Sequence, residues 1–193
     1  MKTKNFLFTT ILTALLLACG PTTKLEKSWI DPSFNSNAVN PHTKVLVIAP
    51  GKDESSQRLA EDKIVAAMKK GVGVPAYTYL KPSDTDQTLA NERLIKDGFD
   101  GVIEMHLKQV EKSVSYNPGT SYGGWYGYRT YSPGYYSEDK TFQVETNFFS
   151  LKENKLLWSG TTSTLNPSSF SQTMDDIIRT IKYDLQKKGI ISK

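Results

Sequence analysis

The stretch Lys44-Val45-Leu46-Val47-Ile48-Ala49-Pro50 sets the strongest constraint on what this chain can fold into. Successive side chains of a strand point to opposite faces, so an unbroken apolar run leaves neither face for water and belongs in a sheet covered on both sides. The run is the length of a strand and too short for a helix of useful size. The reading is therefore α/β, with this segment as a central strand paired in parallel with its neighbours. A helix follows. Asp53 is placed to cap it, Ala60, Ile64, Ala67 and Met68 share one face, and Gly71 stops it.

Residues 74–80 read as a second strand. Asp84 and Gln87 then have the spacing of a capping box for a helix running to about Lys96, ended by Gly98. In a third strand, 102–110, Ile103, Met105 and Leu107 alternate with Glu104, His106 and Lys108. Residues 141–151 alternate again, and a Lys152-Glu153-Asn154 turn leads into Leu156-Leu157-Trp158-Ser159-Gly160, which makes a hairpin. Phe170, Met174, Ile177, Ile178, Ile181 and Leu185 recur at helical spacing, with Ser169 and Gln172 as a second capping box. The order β-α-β-α-β-β-β-α with right-handed crossovers predicts a three-layer sandwich. Its mixed five-stranded sheet has order 2-1-3-4-5, with the fourth strand antiparallel.

The N-terminus is of a different kind. Lys2 and Lys4 precede an apolar run over residues 6–17, the pattern of an export signal and short of the ~20 residues a spanning helix needs. Leu16-Leu17-Ala18-Cys19 resembles the lipobox of bacterial lipoproteins, in which the signal is cut before a cysteine whose thiol then carries diacylglycerol. Cys19 is the only cysteine, so no internal disulfide forms, and it stands where that chemistry requires a thiol. The expected organisation is a signal helix and peptide over 1–18, a lipidated tether over 19–43 and a single α/β domain over 44–193. Several acyl chains, palmitate among them, anchor a protein stably where one is marginal. Gly20 and Pro21 follow the cysteine instead of an acidic residue, and the resemblance then implies the outer membrane, facing the periplasm.

The formal charge of +4 drops to +2 once Lys2 and Lys4 leave, and the remaining lysines are scattered, so nucleic acid is not an expected partner. Within the tether, Ser28-Trp29-Ile30-Asp31-Pro32 interrupts a polar composition with two side chains costly to leave in water, which implies docking on the domain.

The oddest stretch lies between the third and fourth strands. Seven of the chain's ten tyrosines fall within residues 116–136, with Trp125 and several glycines. A loop over 116–137 is long for a compact domain. Tyrosine supplies rigid contact area with little side-chain entropy to lose, which suits a recognition surface. The candidate binding residues are Tyr122, Trp125, Tyr126, Tyr128, Tyr131, Tyr135 and Tyr136, with a protein or a glycan as partner; the competing reading is a low-complexity insertion that binds nothing specific.

Other clusters carry less. His106 beside Glu104 and Lys108 reads as a packed or solvated strand residue, and His42 adds no second metal ligand at useful spacing. Asp175-Asp176 fits the dipole at the start of the last helix. Gly71-Val72-Gly73 follows a helix and precedes a strand, the reverse of a nucleotide loop, and no serine sits in a nucleophile elbow. No cofactor, metal or catalytic residue is expected.

The strand at 45–50 followed by a helix, together with the hairpin ending Lys155-Leu156-Leu157-Trp158-Ser159-Gly160, resembles the domain at the N-terminus of TolB. Related periplasmic lipoproteins include the curli secretion lipoprotein and an activator of penicillin-binding proteins. The Ser-Trp-x-Asp-Pro segment resembles uncharacterised lipoprotein families. No propeller repeat is present, so TolB itself is excluded. The resemblance implies a non-enzymatic envelope assembly or regulatory factor, with a glycan- or peptidoglycan-binding module as the alternative.

Overall fold

A computed structural model describes residues 23–34, 44–49, 51–81, 87–118, 120–123, 129–132 and 135–191. The elements are β1 (Thr23–Ile30), β2 (Val45–Ile48), α1 (Glu54–Ala67), β3 (Gly73–Pro75), a single helical turn α2 (Ala76–Tyr79), α3 (Gln87–Lys96), β4 (Gly101–Asn117), β5 (Thr120–Gly123), β6 (Arg129–Ser132), β7 (Tyr135–Ser150), β8 (Lys155–Leu165) and α4 (Phe170–Lys187). One sheet has the order β1-β8-β7-β4-β2-β3, and β5 pairs with β6 in a separate hairpin. β2 is parallel to both β3 and β4, whereas β4–β7, β7–β8 and β8–β1 are antiparallel.

The central run behaves as its composition requires. Val45, Leu46 and Val47 are fully buried, with Leu46 in one core cluster and Val47 in another. Adjacent strand residues face opposite ways, so the clusters lie on the two faces of the sheet. On one face, Val47, Met105, Val144 and Trp158 meet Ala60 and Ile64 of α1 and Met174, Ile177 and Ile181 of α4. Each such side chain contributes roughly 1.5–3 kcal/mol on burial. On the other, Leu46 packs with Ala76, Leu94 and Phe99. The Tyr79 ring lies 4.8 Å from Phe99, and the Lys44 ammonium 4.2 Å from the same ring. Burial first, then its bond to Asp97, pushes the Tyr79 hydroxyl above its ordinary range.

Both expected helix starts with described caps are present. Asp53 accepts from the Ser56 amide and Ser169 from the Gln172 amide. The Asp84 cap lies outside the described residues. Gly98 takes positive φ just past α3, whereas α1 already stops at Ala67 with Met68 extended, and Gly71 takes its positive φ in the turn that leads to β3.

Four expectations need correction. The sheet has six strands, not five, and a different order, because β1 adds to the edge beside β8. Residues 23–30 are therefore part of the domain and not of a tether. Their polar side chains concealed a strand that is held by backbone pairing from Thr23↔Thr164 to Ile30↔Trp158. The second strand shrinks to Gly73–Pro75, since the chain turns helical at Ala76, where the Leu80 amide bonds the Ala76 carbonyl. The three-layer sandwich is incomplete. The described helices cover one face broadly but the other only near β2 and β3, and on that second face β7 and β8 present Glu145, Asn147, Ser159 and Thr161. The signal helix and Cys19 lie outside the described residues.

The Ser-Trp-x-Asp-Pro segment is built into the fold. Lys188 donates to Ser28 and sits 3.1 Å from Asp184, which in turn accepts from the buried Trp158 indole at 3.1 Å. Asp31 accepts from the Ser33 amide and hydroxyl and faces Lys155 at 3.6 Å. The Ser33 bonds, more than Lys155, hold the Asp31 carboxyl below its ordinary range. Trp29 shares the face of its partner Ser159 and stays half exposed.

Candidate functional site: an aromatic β-ribbon

The stretch read as a long loop is mostly strand. β4 and β7 pair without interruption from Gly101↔Ser150 to Asn117↔Tyr135, apart from one bulge between Leu107 and Gln109. Both strands are far longer than the usual five or six residues. β2 leaves β4 after Glu104 and β8 leaves β7 after Thr141, so the last part is a two-stranded ribbon extending beyond the sheet. Alternating residue types explain why it forms: Ser113, Ser115, Ser137 and Thr141 fall on one side, and Val110, Val114, Tyr116 and Tyr136 on the other.

The bulge sets which residues share a face. By simple alternation from Met105, Gln109 would join the core side. The extra residue moves it to the face of Gln143, and brings Val110, Lys112, Val114 and Tyr116 onto the core side with Phe142, Lys140, Glu138 and Tyr136. Val110, Val114, Tyr116 and Tyr136 are exposed, Val114 by 70% and Tyr136 by 75%. The Tyr116 and Tyr136 rings pack together with centroids 4.8 Å apart, tilted by 45°. Lys112 and Lys140 both approach Glu138, at 3.9 and 3.7 Å. On the opposite face Glu111 accepts from both Gln109 and Gln143.

Of the seven sequence-derived candidates, Tyr135 and Tyr136 lie at the far end of the ribbon, both exposed. Tyr122 lies in β5, paired with Thr130, and Tyr131 in β6, paired with Ser121. Trp125, Tyr126 and Tyr128 lie outside the described residues, as does the lipidation candidate Cys19. Tyr116, Val110 and Val114 were missed as site residues. Their signal was the alternation of 110–116 continuing that of the third strand, masked by the one-residue bulge.

The other clusters resolve into structural roles. His106 lies 3.1 Å from Glu145 and Lys108 3.4 Å from the same carboxylate, so both converge on a residue of β7 instead of on Glu104. Asp175 pairs with Lys63 of α1 at 2.7 Å and Asp176 with Arg179, so the pair serves ion pairing and not the helix dipole, since α4 begins at Phe170 and has no acidic residue in its first turn. A shallow depression of about 380 Å³ between α1 and α4 is rimmed by Lys63, Asp175, Arg179 and Lys182. Glu61 is fully buried. Its carboxylate accepts from the amides of Ala49 and Tyr77 and from Gln57, joining the ends of β2 and β3. The Asp62 bond, more than desolvation, raises the Tyr77 hydroxyl above its ordinary range. Among the described residues no group of three or more histidine, cysteine or acidic side chains is arranged to hold a metal ion, and no helix is long and apolar enough to cross a membrane.

No known protein family and no curated protein matches this chain in sequence. Among solved structures the likeness is partial. A PelC dodecamer from Paraburkholderia phytofirmans aligns at 12% identity with a TM-score of 0.44, covering 82% of this chain and 94% of that one. The lipoprotein GNA1162 from Neisseria meningitidis aligns at 13% identity and a TM-score of 0.42, covering 75% and 99% of the two chains.

Proposed function

We propose that this chain is a lipid-anchored protein of the cell envelope that acts by binding and not by catalysis, with the β4–β7 ribbon as its interaction element. The observation that carries the reading is the ribbon itself: a run of paired residues projects beyond the hydrophobic core and displays tyrosines and valines where the fold has no need of them. Apolar side chains kept in water along a rigid element are the usual sign of a surface made for a partner. Their backbone is already ordered by pairing, so little conformational entropy is lost on binding.

The anchor is supported by the sequence. The lone cysteine follows Leu16-Leu17-Ala18 at the end of an apolar export signal, and Gly20-Pro21 favours the outer membrane on its periplasmic side. The leading role is that of an assembly or regulatory factor with an envelope protein as partner. In-cell crosslinking of the lipidated protein, with and without residues 116–136, tests it. Crosslinks to a protein that vanish with the ribbon support the role. Quenching of Trp fluorescence by soluble peptidoglycan fragments, without protein crosslinks, transfers the proposal to a glycan-binding module. Unchanged binding and phenotype on deletion overturn both.

A further inference from the structure

The position of β1 changes what the anchor can do. Only Gly20, Pro21 and Thr22 separate Cys19 from the first residue of β1, so even fully stretched chain holds Thr23 within about 14 Å of the acylated residue. Thr23 is paired with Thr164, which is paired with Phe142, which is paired with Val110, so these four residues form one row across the sheet. β1 runs away from that row into the body of the domain, whereas the ribbon leaves the row in the opposite direction, on the side where the chain enters from Cys19. From Phe142 to Tyr135 the ribbon advances seven residues, about 24 Å at ~3.4 Å each. The ribbon is thus longer than the leash and stands at the same end of the domain.

We propose that the core-side face of the ribbon, Val110, Lys112, Val114, Tyr116, Tyr136 and Lys140, rests on the lipid bilayer that carries the anchor. The proposal depends on Cys19 being acylated. The chemistry of the two faces chooses the orientation. The core-side face combines Val110, Val114 and the paired rings of Tyr116 and Tyr136 with two lysines against one glutamate, whereas the opposite face carries a single aromatic, Tyr135, at its tip and otherwise presents Glu111 and Asp139 among Gln109, Ser113, Ser115 and Gln143. Tyrosine is suited to the zone where an apolar acyl layer meets water, and lysines reach from it to anionic headgroups. Glu111 and Asp139 stay on the wet side. The anchor and the ribbon then form two points of attachment, which fixes the orientation of the domain instead of leaving it to swing. This contact takes up the apolar face of the ribbon and so narrows the surface left for a protein partner to the polar face, with Tyr135 at its tip, and to the edge of β4 beyond Glu104, which no described strand covers.

The test uses the full lipidated chain in vesicles of phosphatidylethanolamine and phosphatidylglycerol. Because acylation consumes the only native cysteine, a cysteine introduced as Val114→Cys or Tyr136→Cys is the sole free thiol and takes a fluorophore, as does Ser113→Cys or Ser115→Cys on the opposite face. Flotation and intact mass report the anchor separately. The expected result is loss of emission at 114 and 136 when nitroxide lipids are included, with 113 and 115 instead quenched by iodide in the aqueous phase. Floating, acylated protein in which iodide quenches both faces equally overturns the bilayer contact while leaving the anchor intact. Floating protein in which 114 and 136 are reached by neither quencher also overturns it, in favour of coverage by a second copy. Protein that neither floats nor carries acyl mass overturns the anchor, and with it the premise of the contact.

Discussion

Gly160 is a position where the smallest possible side chain should cost the fold heavily. It lies two residues after Trp158 on the same strand and the same face, and the buried indole lies across it. A methyl group built on Gly160 would stand 2.4 Å from Cη2 and 2.6 Å from Cζ2 of that ring, about 1 Å inside ordinary contact. The ring cannot yield easily. Its nitrogen is bonded to Asp184, and Val47, Met174 and Ile177 belong to the same cluster. Two effects oppose each other in Gly160→Ala. Reduced freedom of the unfolded chain stabilises by about 0.4–1 kcal/mol, whereas overpacking of a filled core costs about 1–3 kcal/mol. With the ring pinned, the clash belongs in the upper half of that range, about 2–3 kcal/mol, which after a gain of ~1 kcal/mol leaves a net loss of about 1–2 kcal/mol. For a domain of this size that lowers Tm by roughly 2–8 °C. Calorimetry measures it, and near-ultraviolet circular dichroism reads the displaced indole directly. In the Trp158→Phe background the shorter ring should remove most of the penalty of Gly160→Ala, so the double-mutant cycle should show coupling. A Gly160→Ala protein as stable as the parent, with an unchanged tryptophan signal, would refute the packing described for this face.

Cys19→Ser should remove the acyl mass and shift the protein out of the membrane fraction, checked by intact mass spectrometry and fractionation. Glu61→Gln keeps the shape but puts a donor where the Ala49 and Tyr77 amides both need acceptors, which should cost about 1–3 kcal/mol in urea unfolding. Asp31, held below its ordinary value of 3.8 chiefly by Ser33, contributes stability that is fully present above pH 3.8 and lost as pH falls through its lower folded value. Asp31→Asn should flatten that part of the stability profile below pH 3.8 and lower stability at neutral pH, chiefly through weaker Ser33 bonds and secondarily through loss of the Lys155 pairing. Tyr116→Ser with Tyr136→Ser removes an exposed cross-strand ring pair and should cost about 0.5–1.5 kcal/mol, confined to the ribbon, while weakening membrane contact; the unfolding of the core remains cooperative.

Some of the site was plain in the primary structure and some was not. Concentration of tyrosine over residues 116–136 singled out a region outside the core, because a small core has no room for that many aromatic rings. It did not reveal that the flanks are paired strand. Glycine and proline argued for irregular backbone, while the pairing of Tyr116 with Tyr136 depends on register carried over from the sheet many residues away. Likewise His106 looked toward its strand neighbours Glu104 and Lys108, but the carboxylate it meets belongs to Glu145, more than thirty residues later in the chain. Sequence spacing describes one strand at a time, and cross-strand partners are set by register.

The amino-acid sequence alone determined whatever depends on local periodicity. The burial of Val45–Ile48, the inward stripe of α4 and the caps at Asp53 and Ser169 follow from alternation, helical spacing and side chains that reach their own backbone. Tertiary structure alone decided the rest. Residues 23–30 are polar enough to pass for linker, and only the unpaired edge of β8 makes them a strand, since backbone hydrogen bonds ignore side-chain type. That pairing leaves three residues in sequence between Cys19 and the first strand, and the bulge after Leu107 sets which ribbon residues share the face of Tyr116 and Tyr136. Both are facts about neighbours in space, which no local pattern encodes.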